Sequence, residues 1–277
     1  MMRRKYLLLI ASLSCWSPAA RAGADCPVVT RVGVSDLGYT SYREQGRIAG
    51  IAIDVAHEMA RRTGCKFAFQ WYPRQRLFIE LEAGRIDMTM GSMRTPERDA
   101  YARYLPYAYL QYDLLLTQQD GRQYTSLADY VARGEGRLNV TRGVAYDAGI
   151  ETQLATLASH GRLEVVNDFE TVFGKLALGR AAGTLATPPI YGKYLKDSKL
   201  RMTIVPLPES APRFTGIYLS KQTISPQLHQ RYAAALKAMT SEQSVRAIYA
   251  RYFDDATVKR TFRNGQAPLM TALSAVD

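Results

Sequence analysis

The sequence predicts an α/β fold with two similarly built lobes, in which sheets dominated by parallel strands carry helices on both faces. Short β-forming apolar runs alternate with segments of helical periodicity along the whole chain. The alternation occurs in two series, and "LEAGRIDMTM" at 81–90 is echoed by "LALGRAAGTL" at 176–185. Because βα units of this length form parallel sheets through right-handed crossovers, each series predicts one lobe.

Two helices separate three strands in the first series. One helix begins near Asp54, which suits an N-cap, and stops at Gly64. The next helix ends at Gly84, because glycine readily adopts the left-handed conformation found at helix C-termini. Asp87 is interpreted as the start of the third strand. The three strands are expected at 28–34, 67–71 and 86–90.

The second series repeats this order, and a different C-terminal part follows it. A proline-rich connection at 205–212 leads into that last part. The segment after Asp255 has weak periodicity and is expected to fray. The predicted strands are 137–141, 163–167, 181–187 and 216–220, and the predicted helices are 147–159, 169–179, 226–239 and 241–252.

Residues 1–22 have the three regions of a secretory signal peptide. A basic start, an apolar run at 6–16 and the small-x-small ending at 20–22 predict cleavage after Ala22. The apolar run is too short to span a membrane, and no later segment approaches the necessary length. We therefore expect a soluble protein exported to the periplasm. A lipoprotein signal ending at Cys15 is the minor alternative.

Removing 22 of the 277 residues leaves 255, enough for two lobes with cores of their own. The net charge of +11 includes four basic residues of the signal segment, so the mature chain carries about +7. The basic residues are spread along the chain and are not interleaved with aromatic residues. This distribution is typical of a solvated basic surface and argues against a nucleic-acid partner.

Two cysteines remain after the signal segment, in a compartment that favours disulfides. Cys26 and Cys65 each stand just before a predicted strand. If those strands are parallel neighbours, their starts lie side by side, and a disulfide between the two cysteines is geometrically reasonable. A catalytic thiol is the weaker interpretation, because nothing nearby in the sequence lowers a thiol pKa.

Motifs of enzymes and metal sites are scarce in the sequence. The three histidines, His57, His160 and His229, are isolated, and the sequence contains no HExxH, CxxC, GxSxG or P-loop motif. We therefore expect no metal, no cofactor and no catalytic residue.

The stretch 91–98, "GSMRTPER", combines a helix start with a cation. Thr95 suits the N-cap and Pro96 the first helical position, which puts Arg98 where the helix already carries positive partial charge. One interpretation is a surface arginine paired with Glu97 or Asp99. The other is that free backbone N–H groups and the guanidinium converge on a bound anion, at the strand end where α/β sheets receive ligands.

Several segments together resemble the family 3 extracellular solute-binding proteins, the periplasmic receptors of polar amino acid ABC transporters. They are "GRIAGIAIDVAHEMARRTG", "LEAGRIDMTMGSMRTPER" with "YLPYAY" after it, and "LHQRYAAALKAMTSEQSVRAIYARYF". The resemblance implies a type II-like periplasmic binding protein fold with two crossover hinge strands. Lobe 1 is expected at 26–116 plus 208–265, and lobe 2 at 117–207. A ligand would be enclosed between them.

The resemblance also implies a set of ligand-binding positions. Arg98 matches the arginine that holds the ligand carboxylate, Tyr39 and Tyr42 stand where aromatic residues cover the ligand, and Arg74 falls where a side chain lines the pocket. The whole expected set is Tyr39, Tyr42, Trp71, Arg74, Gly91, Ser92, Met93, Arg98, Arg142, Val144 and Thr187.

Three positions depart from the family pattern. Met93 replaces the usual Ser or Thr, "RGVAYD" at 142–147 replaces a Gly-Thr/Ser-Thr loop, and Thr187 stands where an aspartate commonly pairs with the ligand ammonium. Losing that charge-assisted bond costs roughly 1.5 to 3 kcal/mol. The departures therefore argue against an ordinary α-amino acid. Arginines expected near the cleft, namely Arg98, Arg142, Arg74 and Arg94, favour a carboxylate-bearing ligand, which includes dianionic ones.

These observations predict a monomeric periplasmic receptor that delivers a carboxylate-bearing ligand, amino acid-like or organic acid, to an inner-membrane ABC permease. One alternative is an enzyme resembling periplasmic cyclohexadienyl dehydratase, which needs an acid in the cleft; Glu44, Asp147 and Glu209 are candidates. Another is a ligand sensor for a membrane signalling partner. The sequence does not separate the receptor from the sensor.

Overall fold

The structure is a computed structural model that describes residues 26–117, 123–196, 198–207 and 213–275. The predicted signal peptide and its cleavage after Ala22 lie outside these ranges, as does Glu209. None of the helices within them is both long and apolar enough to cross a bilayer.

The described elements alternate between strand and helix over most of the chain. In chain order they are β1 (Thr30–Val34), β2 (Tyr42–Glu44), β3 (Arg47–Ala49), α1 (Ile51–Thr63), β4 (Phe67–Trp71), α2 (Arg74–Glu82), β5 (Met88–Met93), α3 (Pro96–Asp99), β6 (Ala102–Leu110), β7 (Asp113–Thr117), α4 (Leu127–Arg133), β8 (Leu138–Thr141), α5 (Ala148–Ser159), β9 (Leu163–Val166), α6 (Phe169–Ala177), β10 (Gly183–Ala186), α7 (Pro188–Leu195), β11 (Met202–Pro206), β12 (Arg213–Ser220), α8 (Pro226–Ser241), α9 (Ser244–Tyr249), α10 (Asp255–Thr261) and α11 (Ala267–Ser274).

Two five-stranded sheets organise the fold. The first has the order β4-β1-β5-β12-β6 and the second the order β11-β7-β10-β8-β9. Body 1 is the name used here for the first sheet, the β2–β3 hairpin and helices α1–α3 and α8–α11. Body 2 is the second sheet with helices α4–α7. Each body has its own apolar clusters, so each buries a core on both faces of its sheet.

The sheets are mixed, whereas the sequence predicted that parallel pairs would dominate. In the first sheet β1 pairs in parallel with β4 and β5, but β12 is antiparallel to β5 and β6. In the second, β8 is parallel to β9 and β10, but β7 is antiparallel to β10 and β11. The antiparallel pairs involve β6, β7, β11 and β12, the strands next to the crossings between the bodies. These pairs are antiparallel because the chain changes direction where it crosses.

The chain crosses between the bodies twice. The first crossing lies between Leu110, at the end of β6, and Asp113, at the start of β7. This is earlier than the predicted lobe boundary after Leu116, because β7 pairs throughout with strands of the second sheet. The second crossing lies between Pro206, at the end of β11, and Arg213, at the start of β12.

The N-terminal part of body 1 differs from the prediction in two details. β1 starts at Thr30, and Val28 is exposed. Helix α1 begins after Gly50, whose φ of 130° suits only glycine, so Asp54 lies inside the helix and is not its N-cap. The carboxylate of Asp54 accepts a hydrogen bond from the hydroxyl of Tyr252 at 2.8 Å.

The C-terminal segment is ordered into α10 and α11, whereas the sequence predicted fraying. Leu269 and Leu273 of α11 are buried, and α11 packs against α8 and β6. The hydroxyl of Tyr109 donates to the carbonyl oxygen of Gly265 at 2.8 Å. The segment is therefore fixed to the strand that leads into the first crossing.

The expected disulfide between Cys26 and Cys65 is present, with a Cα–Cα distance of 5.4 Å. β1 and β4 are parallel neighbours, and Thr30 is in register with Phe67. The two strand starts therefore lie side by side, which is the arrangement that the disulfide requires.

Candidate functional site

A cavity lies between the two bodies, next to the first crossing. Its volume is about 60 Å³, room for a few water molecules. Body 1 contributes Leu37, Thr40, Arg74, Gly91, Met93, Thr215 and Tyr249, the crossing contributes 109–113, body 2 contributes Val144, Ala145 and 187–190, and the C-terminal segment contributes Arg260, Thr261, Arg263 and Asn264.

Arg74 is the buried cation of this cavity. It is the first residue of α2, after Tyr72 and Pro73, and only 6% of it is exposed. Its guanidinium donates to the hydroxyl of Ser35 at 3.3 Å and to the carbonyl oxygen of Gly91 at 3.2 Å. Its Nε is buried without a hydrogen-bond partner among the described residues. These long bonds to neutral acceptors leave much of the charge uncompensated.

The electrostatics of Arg74 follow from this burial. Burial first, and then the positive charge of Arg98, lower the pKa of the Arg74 guanidinium to about 9. The described residues provide no carboxylate within ion-pair distance of it. At neutral pH Arg74 is therefore a charged group that an anion entering the cavity would stabilise.

Gly91 makes room for the cavity at the end of β5. Its φ is 64°, and a Cβ there would approach Thr40 Cγ2 at 2.8 Å and Leu37 Cδ1 at 3.0 Å. A side chain at this position would therefore be strained and would crowd the cavity wall. Met93, two residues later, lines the cavity and is in register with Thr215 of β12. The hydroxyl of Ser92 accepts a hydrogen bond from the guanidinium of Arg74 at 3.4 Å.

Arg98 contacts both bodies. Thr95 caps α3 as expected, accepting from the backbone N–H of Arg98, but α3 is a single turn of four residues. The guanidinium donates to the carbonyl oxygen of Met93 at 3.1 Å and to that of Gly143 in body 2 at 3.3 Å. It also stacks at 3.6 Å on the ring of Phe78.

In this conformation other contacts occupy Arg98, and the interpretation that a helix start and Arg98 converge on an anion stays a prediction. A single turn has little macrodipole. The guanidinium is already occupied by two carbonyl oxygens and an aromatic ring. Within the described residues, Arg98 is not part of the cavity lining. In this conformation it connects the two bodies instead.

The three expected aromatic residues lie away from the cavity. The ring of Tyr39 is 6.0 Å from Tyr42 and 5.9 Å from Tyr252. Its backbone N–H donates to the carbonyl oxygen of Pro189 in body 2 at 2.8 Å. The ring of Trp71 is covered by the guanidinium of Arg43 at 4.6 Å. These aromatic groups belong to the contact between the bodies and to an outer groove.

The residues expected from body 2 divide between the cavity and the outer groove. Val144 and Thr187 line the cavity, and Thr187 is the N-cap residue of α7. Arg142 lines the outer groove together with Trp71, on the other side of Arg74. Of the expected ligand-binding set, the cavity therefore brings together Arg74, Gly91, Met93, Val144 and Thr187.

Asp113 is a cavity residue that the sequence analysis did not identify. It is the first residue of β7, is only 2% exposed, and accepts a hydrogen bond from the hydroxyl of Tyr191 at 2.9 Å. Arg260 lies 3.9 Å from the same carboxylate. Burial raises the pKa of Asp113. One feature of the sequence could have identified Asp113: it is an acidic residue that directly precedes the apolar run "LLL" in the buried strand "DLLLT".

The described part of the chain holds no cluster of three or more His, Cys, Asp or Glu side chains arranged to bind a metal ion. The cavity chemistry consists instead of one buried guanidinium, one buried carboxylate and the more exposed arginines of the C-terminal segment. This set suits noncovalent binding of a small charged molecule.

Solved structures with the same fold include several binding proteins. An ancestral arginine-binding protein bound to arginine has a TM-score of 0.71 and 21% identity, covering 83% of this chain and 100% of that chain. The arginine-, lysine-, histidine-binding protein ArtJ from Geobacillus stearothermophilus has a TM-score of 0.70 and 18% identity, covering 81% and 94%. The ancestral amino acid-binding protein AncCDT-1, a precursor of cyclohexadienyl dehydratase, has a TM-score of 0.69 and 20% identity, covering 82% and 96%.

No curated protein matches the sequence significantly. A family model does match, and it covers residues 30–255, which include both sheets and the cavity between them except for its C-terminal rim. The extracellular character of that family agrees with the disulfide between Cys26 and Cys65. The chain belongs to the bacterial extracellular solute-binding proteins, family 3.

Proposed function

We propose that this solute-binding protein encloses a small carboxylate-bearing ligand in the cavity between body 1 and body 2, with Arg74 as the partner of the carboxylate. The observation that carries the proposal is the buried guanidinium of Arg74, whose Nε has no partner among the described residues. The other ligand contacts would come from Gly91, Met93, Val144 and Thr187.

A ligand carboxylate supplies what Arg74 lacks. A guanidinium binds a carboxylate through two parallel hydrogen bonds, and charge-assisted bonds are stronger than those to neutral carbonyl oxygens. Each such bond contributes roughly 1.5 to 3 kcal/mol. Because Arg98 repels Arg74 in the absence of an anion, binding would also relieve that repulsion.

Closure of the two bodies around the ligand would couple binding to shape. A cavity volume of about 60 Å³ admits only a few waters, so we propose that the bodies separate to admit the ligand. Several contacts would break on opening: Arg98 with Gly143, Tyr39 with Pro189, and Tyr194 with Asp36. We propose that the bodies are the two lobes, hinged at the crossing between Leu110 and Asp113 and at the one after Pro206.

The partner in this proposal is an inner-membrane ABC permease that recognises the closed form. The protein would act as a monomer in the periplasm after signal cleavage following Ala22. The amino acid ligands named for structures of the same fold favour an amino acid over an unrelated carboxylate.

We propose that the protein has no catalytic activity. The dehydratase alternative requires an acid at the reacting bonds, and neither Glu44 nor Asp147, the two candidates within the described residues, lines the cavity. Glu44 faces Lys193 at 3.8 Å near the surface, and Asp147 caps α5. Asp113 is the acid in the cavity lining, so an assay of prephenate turnover by the wild-type protein is the direct check. Turnover above the buffer rate would contradict this part of the proposal.

A thermal-shift screen tests the receptor proposal. The mature chain, 23–277, is unfolded and refolded to remove bound ligand, then heated with the L-amino acids, small dicarboxylates and aromatic acids. A ligand at a hundred times its Kd stabilises the folded state by about 2.7 kcal/mol, so a carboxylate should raise the midpoint by several degrees. A screen in which no carboxylate raises the midpoint would contradict the proposal.

A further inference from the structure

We infer that body 1 contains a second binding site, separate from the cavity between the bodies, which accepts a small aromatic carboxylate with its acid group at Arg246. The site is a pocket of about 300 Å³ between the C-terminal end of α8, the start of α9 and the turn from α10 to α11. It goes beyond the proposed function and does not depend on it.

The pocket is distinct from the cavity between the bodies. Among the described residues, the two spaces share no lining residue, and the pocket is bordered by elements of body 1. One of its walls runs from Phe262 to Leu269, beyond residue 255, where the match to the family model ends. The pocket is therefore built partly from residues that the family model does not cover.

The pocket has the size of a small-molecule site. Its volume of about 300 Å³ lies at the lower end of the range for ligand pockets, about 300 to 1,000 Å³. Gly265, in the turn from α10 to α11, has no side chain to occupy this space. Apart from its two chain neighbours, no described residue has an atom within 4 Å of the place where a Cβ of Gly265 would be. The turn therefore borders the pocket without filling it.

The inner wall of the pocket is apolar and partly aromatic. Met239, Val245 and Leu269 line it and are almost fully buried. Tyr107 and Phe262 add aromatic side chains to the same wall. Aromatic rings and a thioether make favourable contacts with another ring, through ring–ring and sulfur–ring interactions. The wall therefore favours a ligand with an aromatic body over a fully polar one.

Arg246 gives the pocket a cation that the protein does not pair. Its side chain is partly buried and forms no hydrogen bond or ion pair with the described residues. Glu242 stands four residues earlier, but its carboxylate pairs with Arg62 at 2.6 Å. A guanidinium binds a carboxylate through two parallel hydrogen bonds. A carboxylate in the pocket would therefore supply the partner that Arg246 lacks.

The hydroxyl of Thr240 is a second polar group of the pocket without a partner. Thr240 is 5% exposed, and its Oγ1 has no hydrogen-bond partner among the described residues. Most buried hydroxyls in proteins are hydrogen-bonded, and a carboxylate oxygen would accept the bond that Thr240 can donate. An arginine that only extends its alkyl part over an apolar surface would explain neither this hydroxyl nor the open volume. Arg246 and Thr240 therefore define the polar end of a ligand whose body is aromatic.

The test uses 3-phenylpropionate as the probe and two methionines as reporters. The probe is titrated into the refolded mature chain with isotope-labelled methionine methyl groups, and the NMR signals are assigned with Met239→Leu and Met93→Leu. Met239 lines the pocket and Met93 lines the cavity between the bodies, so the two signals distinguish the two sites. We expect a saturable shift of the Met239 signal, because the ring of the bound probe changes the magnetic field at a nearby methyl group.

A neutral probe and a pair of variants test the role of Arg246. The amide 3-phenylpropionamide has nearly the same shape without the charge, and it should bind about tenfold to a hundredfold more weakly than the acid. Arg246→Gln should weaken binding of the acid by the same factor. The control is Arg251→Gln, because the side chain of Arg251 is 59% exposed in its pair with Asp54. It should bind the acid within about twofold of the wild type.

Three results would overturn the inference while leaving the receptor proposal intact. They are a Met239 signal that does not shift at millimolar probe, equal binding of the acid and the amide by the wild type, and an unchanged affinity in Arg246→Gln. A shift confined to Met93 is the first of these, because it places the probe in the cavity between the bodies. Arg74→Gln, which tests the receptor proposal, should leave the Met239 response unchanged. The comparison of acid and amide needs no variant, so the test holds even if Arg246→Gln does not fold.

Discussion

The guanidinium of Arg74 donates to the backbone carbonyl oxygen of Gly91 across 3.2 Å, and this neutral acceptor stands where an anion would bind more strongly. Arg74 is almost fully buried, and the ring of Phe78 lies 4.9 Å from its guanidinium carbon. The positive φ of Gly91 turns the end of β5 so that its carbonyl faces α2. The positive charge of Arg74 is therefore not fully compensated by its protein partners.

Removing this charge should stabilise the ligand-free protein. Arg74→Met keeps most of the side-chain volume and eliminates a buried, uncompensated cation, so the free energy of unfolding should rise by about 1 to 4 kcal/mol. Urea denaturation of refolded, ligand-free protein measures the change. Arg76→Met is the matched control on the same helix, because Arg76 is more than half exposed and pairs with Glu80. A loss of stability in Arg74→Met larger than in the control would contradict the account.

Arg98 should slow the release of ligand. Its guanidinium reaches the carbonyl oxygen of Gly143 only while the bodies are in contact. Arg98→Met should therefore accelerate dissociation about tenfold to a hundredfold, the equivalent of one charge-assisted bond. Stopped-flow fluorescence can report this, because Trp71 is the tryptophan that remains after removal of Trp16 and it lies in the groove between the bodies.

The control for this experiment is Arg94→Met. The side chain of Arg94 is 66% exposed and pairs with Asp99 of the same body. Its loss should leave the dissociation rate within about twofold of the wild type. Equal dissociation rates for the Arg98 and Arg94 variants would show that Arg98 does not hold the closed form.

The ion pair between Arg31 and Asp87 should make stability depend on pH in the acid range. Hydrogen bonds from Arg31 outweigh burial and lower the pKa of Asp87, so its contribution is present above about pH 4 and is lost as the pH falls through the folded-state pKa. Asp87→Asn should cost about 1 to 3 kcal/mol at pH 7. The difference in stability between this variant and the wild type should narrow as the pH falls below about 4.

The control for the pH series is Asp255→Asn, because Asp255 is 76% exposed in its pair with Lys259. Its effect should stay within about 0.5 kcal/mol at every pH. Urea midpoints across the series measure both variants. A gap for Asp87→Asn that stays constant down to pH 2 would contradict the assignment of the pH dependence to this pair.

The disulfide should contribute to stability through the unfolded state. Cys26 and Cys65 are separated by 39 positions, and closing a loop of that length corresponds to about 4 kcal/mol in the chain-entropy model. The double variant Cys26→Ser/Cys65→Ser should therefore lose about 2 to 4 kcal/mol. Chemical denaturation with and without reductant measures the loss, and reductant should change the wild type but not the double variant. Insensitivity of the wild type to reductant would argue against the bridge.

The fold was largely accessible from the sequence because its βα units are local. The segments 54–64 and 67–71 carry their own periodicity and turn signals, and each forms nearly as predicted. Helices α10 and α11 were missed because "DATVKRT" and "APLMTALS" have weak periodicity of their own. Long-range packing of Leu269 and Leu273 against body 1 orders them, and no local pattern encodes that contact.

The candidate site was harder to predict because it depends on relations between distant segments. The resemblance to the family drew attention to Arg98, but its role in this conformation follows from the distance to Gly143 in the other body. Asp113 is recognised as a cavity residue only when the first crossing and the start of α7 are seen to line the same cavity.

Calorimetric titration of Arg74→Gln tests the central claim most directly. The probe is the carboxylate that gives the largest thermal shift with the wild type, and Arg76→Gln is the control. Because a buried charge pair loses about 2 to 5 kcal/mol when one partner is removed, Arg74→Gln should bind the probe at least about thirtyfold more weakly. The control should keep wild-type affinity. Binding by Arg74→Gln within about threefold of the wild type would contradict the account.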